Sequence, residues 1–295
     1  MKETNMTALV SCFVRDYHYQ NNTYRIFSDN LAHQILGEED YQAIASNLGK
    51  GIQFFNPKFT GSEDEALRWI VDYQLSPSVL GRSAFCEASL KIAYRLGCRQ
   101  YLIFASGYDT FSYRNNLDNL KVFELDKEEM IQDKIRRLKM SKMDNTKANF
   151  ISCDFRKKDW ISSLRNSTYQ ENKLSFSSLL GISYYLKKEE FSKMLENISS
   201  MVCRGSSIVL DYPTYDSSKE TGINEQLASS ANEEMQSKYT YGEMEDILAE
   251  HGFLIYEHLN HKEITNTYFY SYNTLNPNHQ IIAPVGVCYC LAVKR

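Results

Sequence analysis

Three short polar clusters, each closing a run of β-forming residues, are where this sequence could do chemistry. The run Gln100 to Ala105 ends in Ala105-Ser106-Gly107-Tyr108-Asp109-Thr110, a small-residue turn that lets backbone approach a ligand closely. The run Lys121 to Leu125 ends in Phe123-Glu124-Leu125-Asp126. Strand alternation sets Glu124 and Asp126 on one face, and an acid at the end of a second strand can accept both hydroxyls of a ribose. The run Asn149 to Cys153 is followed by Asp154-Phe155, a carboxylate suited to an adenine amino group and a ring that can lie along the base. Each cluster also has a plain reading: a tight turn, an N-cap for the helix that Lys127-Glu128-Glu129 opens, a common dipeptide. Their weight comes from recurring at successive strand ends.

A dinucleotide fold asks for G-x-G-x-x-G at the first turn, so that helix N–H groups cradle a pyrophosphate. Here A-S-G-Y-D-T offers one glycine, Gly107. A cofactor without phosphate, such as S-adenosylmethionine, needs close approach only at its amino-acid and ribose end. No metal is expected: the cysteines at 12, 86, 98, 153, 203, 288 and 290 are scattered, with no C-x-x-C pair and no clustered His. Cys288 and Cys290 alternate along a strand and read as small apolar residues on one face.

Positioning three strand ends side by side requires a sheet, and the chain supplies one. Seven β-rich runs occur: Gln100 to Ala105, Lys121 to Leu125, Asn149 to Cys153, Leu174 to Leu180, Ser207 to Asp211, Phe253 to His258 and Val287 to Val293. Amphipathic stretches such as Lys127 to Met140, Lys187 to Val202 and Tyr241 to His251 lie between them, the βαβ rhythm of a parallel sheet covered on both faces. The long insert Asn260 to Pro284 has no sustained helix period and reads as a hairpin-like return, making the last strand antiparallel. Residues 1–99 carry helical spacing at Asp29 to Leu36, Glu63 to Tyr73 and Ser83 to Leu96. They read as a helical cap packed on a core of residues 100–295.

The 295 residues suffice for one large α/β domain, and 43% hydrophobic with 24% charged is ordinary globular composition. A net charge of −4 gives no basic field for phosphates, which argues against a nucleic-acid partner. No apolar stretch reaches the roughly 20 residues of a membrane helix, and the first ten residues lack a signal-peptide pattern, so a cytoplasmic protein with a small-molecule partner is expected.

The strand-end residues resemble those of the leucine carboxyl methyltransferase family, which includes polyketide O-methyltransferases of the tetracenomycin type. The resemblance runs nearly end to end. Thr7-Ala8-Leu9 and Arg15 match the family's opening, and Arg82 and Glu87 match an Arg and an acid on the helix before the first strand. The family's L-G-A-G-L-D-T-R-x-Y-R is F-A-S-G-Y-D-T-F-S-Y-R at Phe104 to Arg114. Glu124 and Asp126 fill E-x-D, with Lys134 on the next helix, and Asp154-Phe155 with Trp160 fill the third-strand pattern. The fourth strand's E-G-x-x-x-Y-L reads Leu180 to Leu186, with Leu180 in place of the acid. Gly205 to Tyr212, Tyr241 to Met244 and Gly252-Phe253 continue the likeness. Three departures stand out: Ala105 for the first glycine, Phe111 for the Arg of D-T-R, and Leu180 for Glu.

The resemblance implies a doubly wound, seven-stranded, mostly parallel Rossmann-like methyltransferase fold that binds S-adenosylmethionine. Arg82, Ala105, Gly107, Asp109, Glu124, Asp126, Asp154, Phe155 and Leu180 would contact the cofactor. The acceptor would be a carboxylate or phenolic hydroxyl of a small, polyketide-like molecule, or a protein C-terminus. Methyl transfer of this kind depends on positioning and a dry site and needs no protein nucleophile. A carboxylate is already ionised near neutral pH, whereas a phenol, with pKa about 10, calls for a base. His258 and His261, at the end of the sixth strand, are candidates for that base, and Tyr185 for lining the methyl pocket. Three alternatives compete: a binding protein that kept the fold and lost catalysis, a nicotinamide-dependent oxidoreductase, and an adaptor working through the aromatic cap.

Overall fold

The computed structural model describes residues 6–157, 159–215 and 235–295. Strands β1 (Gln100–Phe104), β2 (Lys121–Asp126), β3 (Asn149–Ser152), β4 (Ser175–Leu179), β5 (Ser207–Pro213), β6 (Phe253–Leu259) and β7 (Val287–Lys294) fall on the seven predicted runs. Across the sheet the order is β3-β2-β1-β4-β5-β7-β6. Strands β1 to β5 pair in parallel, and β7 runs antiparallel to both β5 and β6. Strand order therefore reverses between β1 and β4, and a ligand crevice is expected outside their carboxyl ends.

Both faces of the sheet are buried. On β1, Tyr101 and Ile103 join a core with Phe13, Leu80 and Phe85, while Leu102 and Phe104 join one with Phe123, Trp160 and Leu195. Full burial of one such side chain contributes roughly 1.5–3 kcal/mol, so the two cores hold the strand ends rigidly in place. The expected shared face of Cys288 and Cys290 is found, both lying in the second core.

The N-terminal helices are α1 (Met6–Asn21), α2 (Ala32–Leu36), α3 (Glu38–Lys50), α4 (Ile52–Phe55), α5 (Glu63–Ile70) and α6 (Ser76–Arg95). They share the first core with the sheet; residues 1–5 of the expected cap lie outside the described residues. Helix α6 begins seven residues before the predicted start at Ser83, with Pro77 in its first turn. A π-helical turn, Val71–Leu75, joins it to α5, and the extra residue in that turn breaks the apolar period that marks a helix.

After β1 come α7 (Phe111–Arg114), α8 (Glu128–Met140), α9 (Trp160–Arg165), α10 (Lys188–Met201) and α11 (Tyr241–Glu250). Helix α11 starts with a reciprocal capping box between Thr240 and Glu243. The Asn260–Pro284 insert is more ordered than its sequence suggests: helical turns at His261–Ile264 and Tyr270–Leu275 flank a π-helical turn, Thr265–Phe269. Its buried residues Ile264, Phe269 and Tyr272 are spaced five and three apart, which hides the helical period. No helix among the described residues is long and apolar enough to cross a membrane.

Candidate functional site

Beyond β1 the chain enters its turn with Ala105 at φ +50° and Gly107 at φ +48°. Glycine is favoured at the second position, because its φ is left-handed and a Cβ on Gly107 would lie 3.3 Å from the Ala8 Cβ. Ala105 occupies the left-handed region where the resembled family has glycine, a conformation costing roughly 1–2 kcal/mol for an L-residue. Asp126 holds this turn. Its Oδ2 accepts the Gly107 N–H and its Oδ1 the Lys127 N–H, each at 2.8 Å. Lys127, not Asp126, is the N-cap of α8. Burial lifts the Asp126 carboxyl above its ordinary value, opposed by the two N–H donors. Each oxygen keeps a second lone pair with which to accept a ligand hydroxyl.

A buried ion-pair network grips the same turn from outside. Asp29, fully buried, accepts Arg15 Nε at 2.8 Å and the Thr110 hydroxyl at 2.6 Å, with Arg114 Nε at 3.3 Å. Arg15 also donates to the Tyr108 carbonyl at 2.7 Å, and Arg114 to Glu87 at 2.6 Å. Two arginines against two acids leave the network electrically paired, and the arginine charges hold the Asp29 carboxyl below its ordinary value despite burial. Helix α1 is thereby bonded to the turn.

At the carboxyl ends of β1, β2 and β4 lies a cavity of about 730 Å³. Of the twelve residues given a cofactor or catalytic role in the sequence, nine line it. On one side are Ala105, Gly107, Asp109 and Asp126, with Asp109 Oδ1 accepting the Phe111 N–H at 2.7 Å. Asp154 and Phe155 form the far end; Phe155 packs on Phe104 and Trp160 at 5.6 and 5.4 Å between ring centres. Partial burial raises the Asp154 carboxyl, but the Arg156 N–H and guanidinium outweigh it and bring it below its ordinary value. Opposite stand Arg82, Leu180 and Tyr185, where Arg82 Nη1 donates to Asp211 at 3.2 Å. A smaller recess of about 500 Å³ adjoins at Lys127, Asp154 and Arg156.

Three predicted residues lie elsewhere. Glu124 shares the face of Asp126 but is fully buried, 2.5 Å from Lys134 Nζ of α8 and accepting the Ser112 hydroxyl at 2.6 Å. It sits beneath the site and does not line the cavity. His258 is hydrogen-bonded to the Tyr212 hydroxyl at 2.8 Å and stands edge-on to Tyr241, on the edge strand β6. Its side chain reaches across β7 to Tyr212 of β5 and is used there, so it does not line the cavity, and neither does His261. Phe111 is core, edge-to-face with Tyr101 at 5.1 Å. The walls also include Thr7, Ala8, Ser11 and Arg15 of α1 and Val79 and Ser83 of α6. Their spacings, one helical turn apart, are the signal that marks them as single faces. Among the described residues no group of three or more His, Cys, Asp or Glu is arranged to hold a metal.

The strand order, the antiparallel β7 and an acid at the end of β2 over a strand-end cavity define a doubly wound α/β methyltransferase. The chain belongs to the leucine carboxyl methyltransferase family, whose profile matches residues 8–199. It is 35% identical over 99% of both chains to YktD of Bacillus subtilis (strain 168), provisionally named an S-adenosyl-L-methionine-dependent methyltransferase. A similarly named protein of Mycobacterium ulcerans (strain Agy99) is 27% identical over 55% of this chain and 54% of that one. Among solved structures, a DUF574 family protein from Streptomyces avermitilis MA-4680 superposes with TM-score 0.60 at 14% identity over 97% of each chain. A provisionally named methyltransferase from Thermobifida fusca YX gives TM-score 0.56 at 12% identity, covering 100% of this chain and 96% of that one. At such identities these two matches speak for the fold alone.

Proposed function

We propose that this S-adenosylmethionine-dependent methyltransferase transfers the methyl group to a carboxylate oxygen of a small molecule. Bound in the strand-end cavity, the cofactor supplies an electrophilic methyl. The chain's own part is to hold and orient: Asp126 receives the ribose hydroxyls, Asp154 and Phe155 the adenine, the Gly107 turn the amino-acid portion, and Arg82 its carboxylate. Leu180 and Tyr185 line the acceptor side.

One observation supports the choice of acceptor: among the described residues no histidine or cysteine lines the cavity, and each carboxylate that does, Asp109, Asp126, Asp154 and Glu190, already accepts a backbone N–H. An acceptor that arrives ionised needs no base, whereas a phenol with pKa about 10 does. Leu180 favours the same choice, since an acid at that position would repel an approaching carboxylate.

The test has two stages. S-adenosylhomocysteine at about a hundred times its dissociation constant should stabilise the protein by roughly 2.7 kcal/mol, a rise on the order of 5 °C, and NAD should give none. Methyl transfer to a panel of carboxylic acids and phenols should then yield alkali-labile methyl esters. Ethers would overturn the carboxylate reading; binding without transfer to any member would favour a protein that kept the cofactor site and lost catalysis. An equal shift with NAD would favour the oxidoreductase.

A further inference from the structure

We infer that Asp211, at the end of β5, is a positioning residue that fixes where Arg82 stands and locks it to the turn after β4. The inference rests on the reading that Arg82 receives the cofactor carboxylate. Asp211 is buried and does not line the cavity. Its two oxygens divide between the cavity's walls. Oδ1 accepts the Gly181 N–H at 2.6 Å, and Oδ2 accepts Arg82 Nη1 at 3.2 Å. Its own carbonyl accepts the Ser183 hydroxyl at 2.8 Å, so the whole turn from Gly181 to Ser183 is moored to β5.

The fit between turn and guanidinium is close. Gly181 sits at φ +67°, and a Cβ there would come within 3.0 Å of Arg82 Nη1. Arg82 thus lies against bare backbone on one side and is held by a carboxylate at one N–H. A guanidinium has five N–H donors, so the others stay available to a ligand carboxylate with which it can form a two-point contact. Arginine is a long side chain that loses much rotamer freedom when it is fixed. Restraining it before the ligand arrives removes part of that loss from binding. A counter-effect exists, because the Asp211 charge also offsets that of Arg82. The buried, off-cavity place of Asp211 weakens its repulsion of the ligand, and the experiment weighs the two effects against each other.

Asp211→Asn keeps the shape; its carbonyl can still accept the Gly181 N–H, but its NH₂ then faces the Arg82 donors. Calorimetry should compare S-adenosylhomocysteine with methylthioadenosine, which lacks the amino-acid end. The expected result is a loss of about tenfold for the first, equivalent to 1.4 kcal/mol, with the second changed less than about twofold. Equal losses for both would make Asp211 a fold residue only, and unchanged or tighter S-adenosylhomocysteine binding would show neutralisation winning over positioning. Either outcome overturns the inference. Gly181→Ala, which crowds Arg82 from the other side, should give the same selective loss and serves if Asp211→Asn fails to fold. Arg82→Gln separates the two readings: if it leaves S-adenosylhomocysteine affinity intact, the assignment of Arg82 fails, whereas a loss there with none in Asp211→Asn defeats only the positioning role.

Discussion

Replacing Asp126 by asparagine preserves shape and removes one acceptor. Both carboxylate oxygens accept backbone N–H groups, those of Gly107 and Lys127, each at 2.8 Å. An amide offers one oxygen, so one of these N–H groups must face an NH₂ donor. Losing a hydrogen bond to a charged acceptor removes about 1.5–3 kcal/mol. The native carboxylate carries a burial penalty that the neutral amide avoids, so the lower end applies, about 2 kcal/mol. At roughly 2–4 °C per kcal/mol for a chain of this size, the ligand-free protein should melt about 4–8 °C lower. Affinity for S-adenosylhomocysteine should fall as well, by about tenfold, through loss of a charged acceptor for the ribose and slackening of the Gly107 turn. Melting of the ligand-free variant and calorimetry read the two effects separately. An unchanged melting temperature would refute the turn tie; a lower one with undiminished affinity would refute the ribose contact.

Two further predictions concern the turn and the cap. Ala105→Gly should relieve roughly 1–2 kcal/mol of left-handed strain against about 0.5–1 kcal/mol of added chain entropy, a net gain of up to about 1.5 kcal/mol in denaturant titration. Gly107→Ala, at the same φ and against Ala8, should instead lose about 1–2 kcal/mol. His18 is buried in α1, where its Nε2 accepts the Ile26 N–H at 3.0 Å. Burial, aided by the Arg68 and Arg25 charges, lowers its pKa from 6.5 to about 3. The unfolded chain then takes up the proton first, so this contribution is intact above pH 6.5 and lost as pH falls toward 3. By pH 5 the loss is on the order of 2 kcal/mol, and His18→Gln should flatten the slope of stability against pH between 6.5 and 5; an unchanged slope would place the acid sensitivity elsewhere.

The strands and the acids at their ends were legible because both are local signals. A short run of β-forming residues and a polar residue at its end need no knowledge of what packs above. Glu124 and His258 fail for non-local reasons. Alternation assigns Glu124 a face but not a depth, and its depth depends on Lys134 and Ser112 closing over it from two other elements. His258 stands at a strand end as expected, yet only the strand order reveals that this is the sheet's far edge, where its ring is bonded to Tyr212 and not to the cavity. The contribution of α1 was half visible: Arg15 appears in the sequence, but its partners Asp29 and the Tyr108 carbonyl lie 14 and 93 residues away.

The three departures from the family pattern differ in physical consequence. Ala105 retains the backbone that glycine would adopt, which is possible because Asp126 clamps the turn from one side and the Arg15–Asp29–Thr110 network from the other. Strain of this size persists only where surrounding contacts over-determine the conformation. Phe111 and Leu180 change the chemistry instead. Phe111 packs on Tyr101 in the cap-side core, and Leu180, half-buried, packs against that same cluster. Where a charged pair gives way jointly to well-packed apolar side chains, the exchange can be neutral or stabilising, whereas losing one partner alone would strand a buried charge. The acids at the ends of β2 and β3, Asp126 and Asp154, match the family pattern, and of the altered positions two line the cavity: Ala105, in the turn that Asp126 clamps, and Leu180, in the turn after β4. The divergence is therefore absorbed in turn backbone and apolar packing, with the strand-end acids Asp126 and Asp154 left in place.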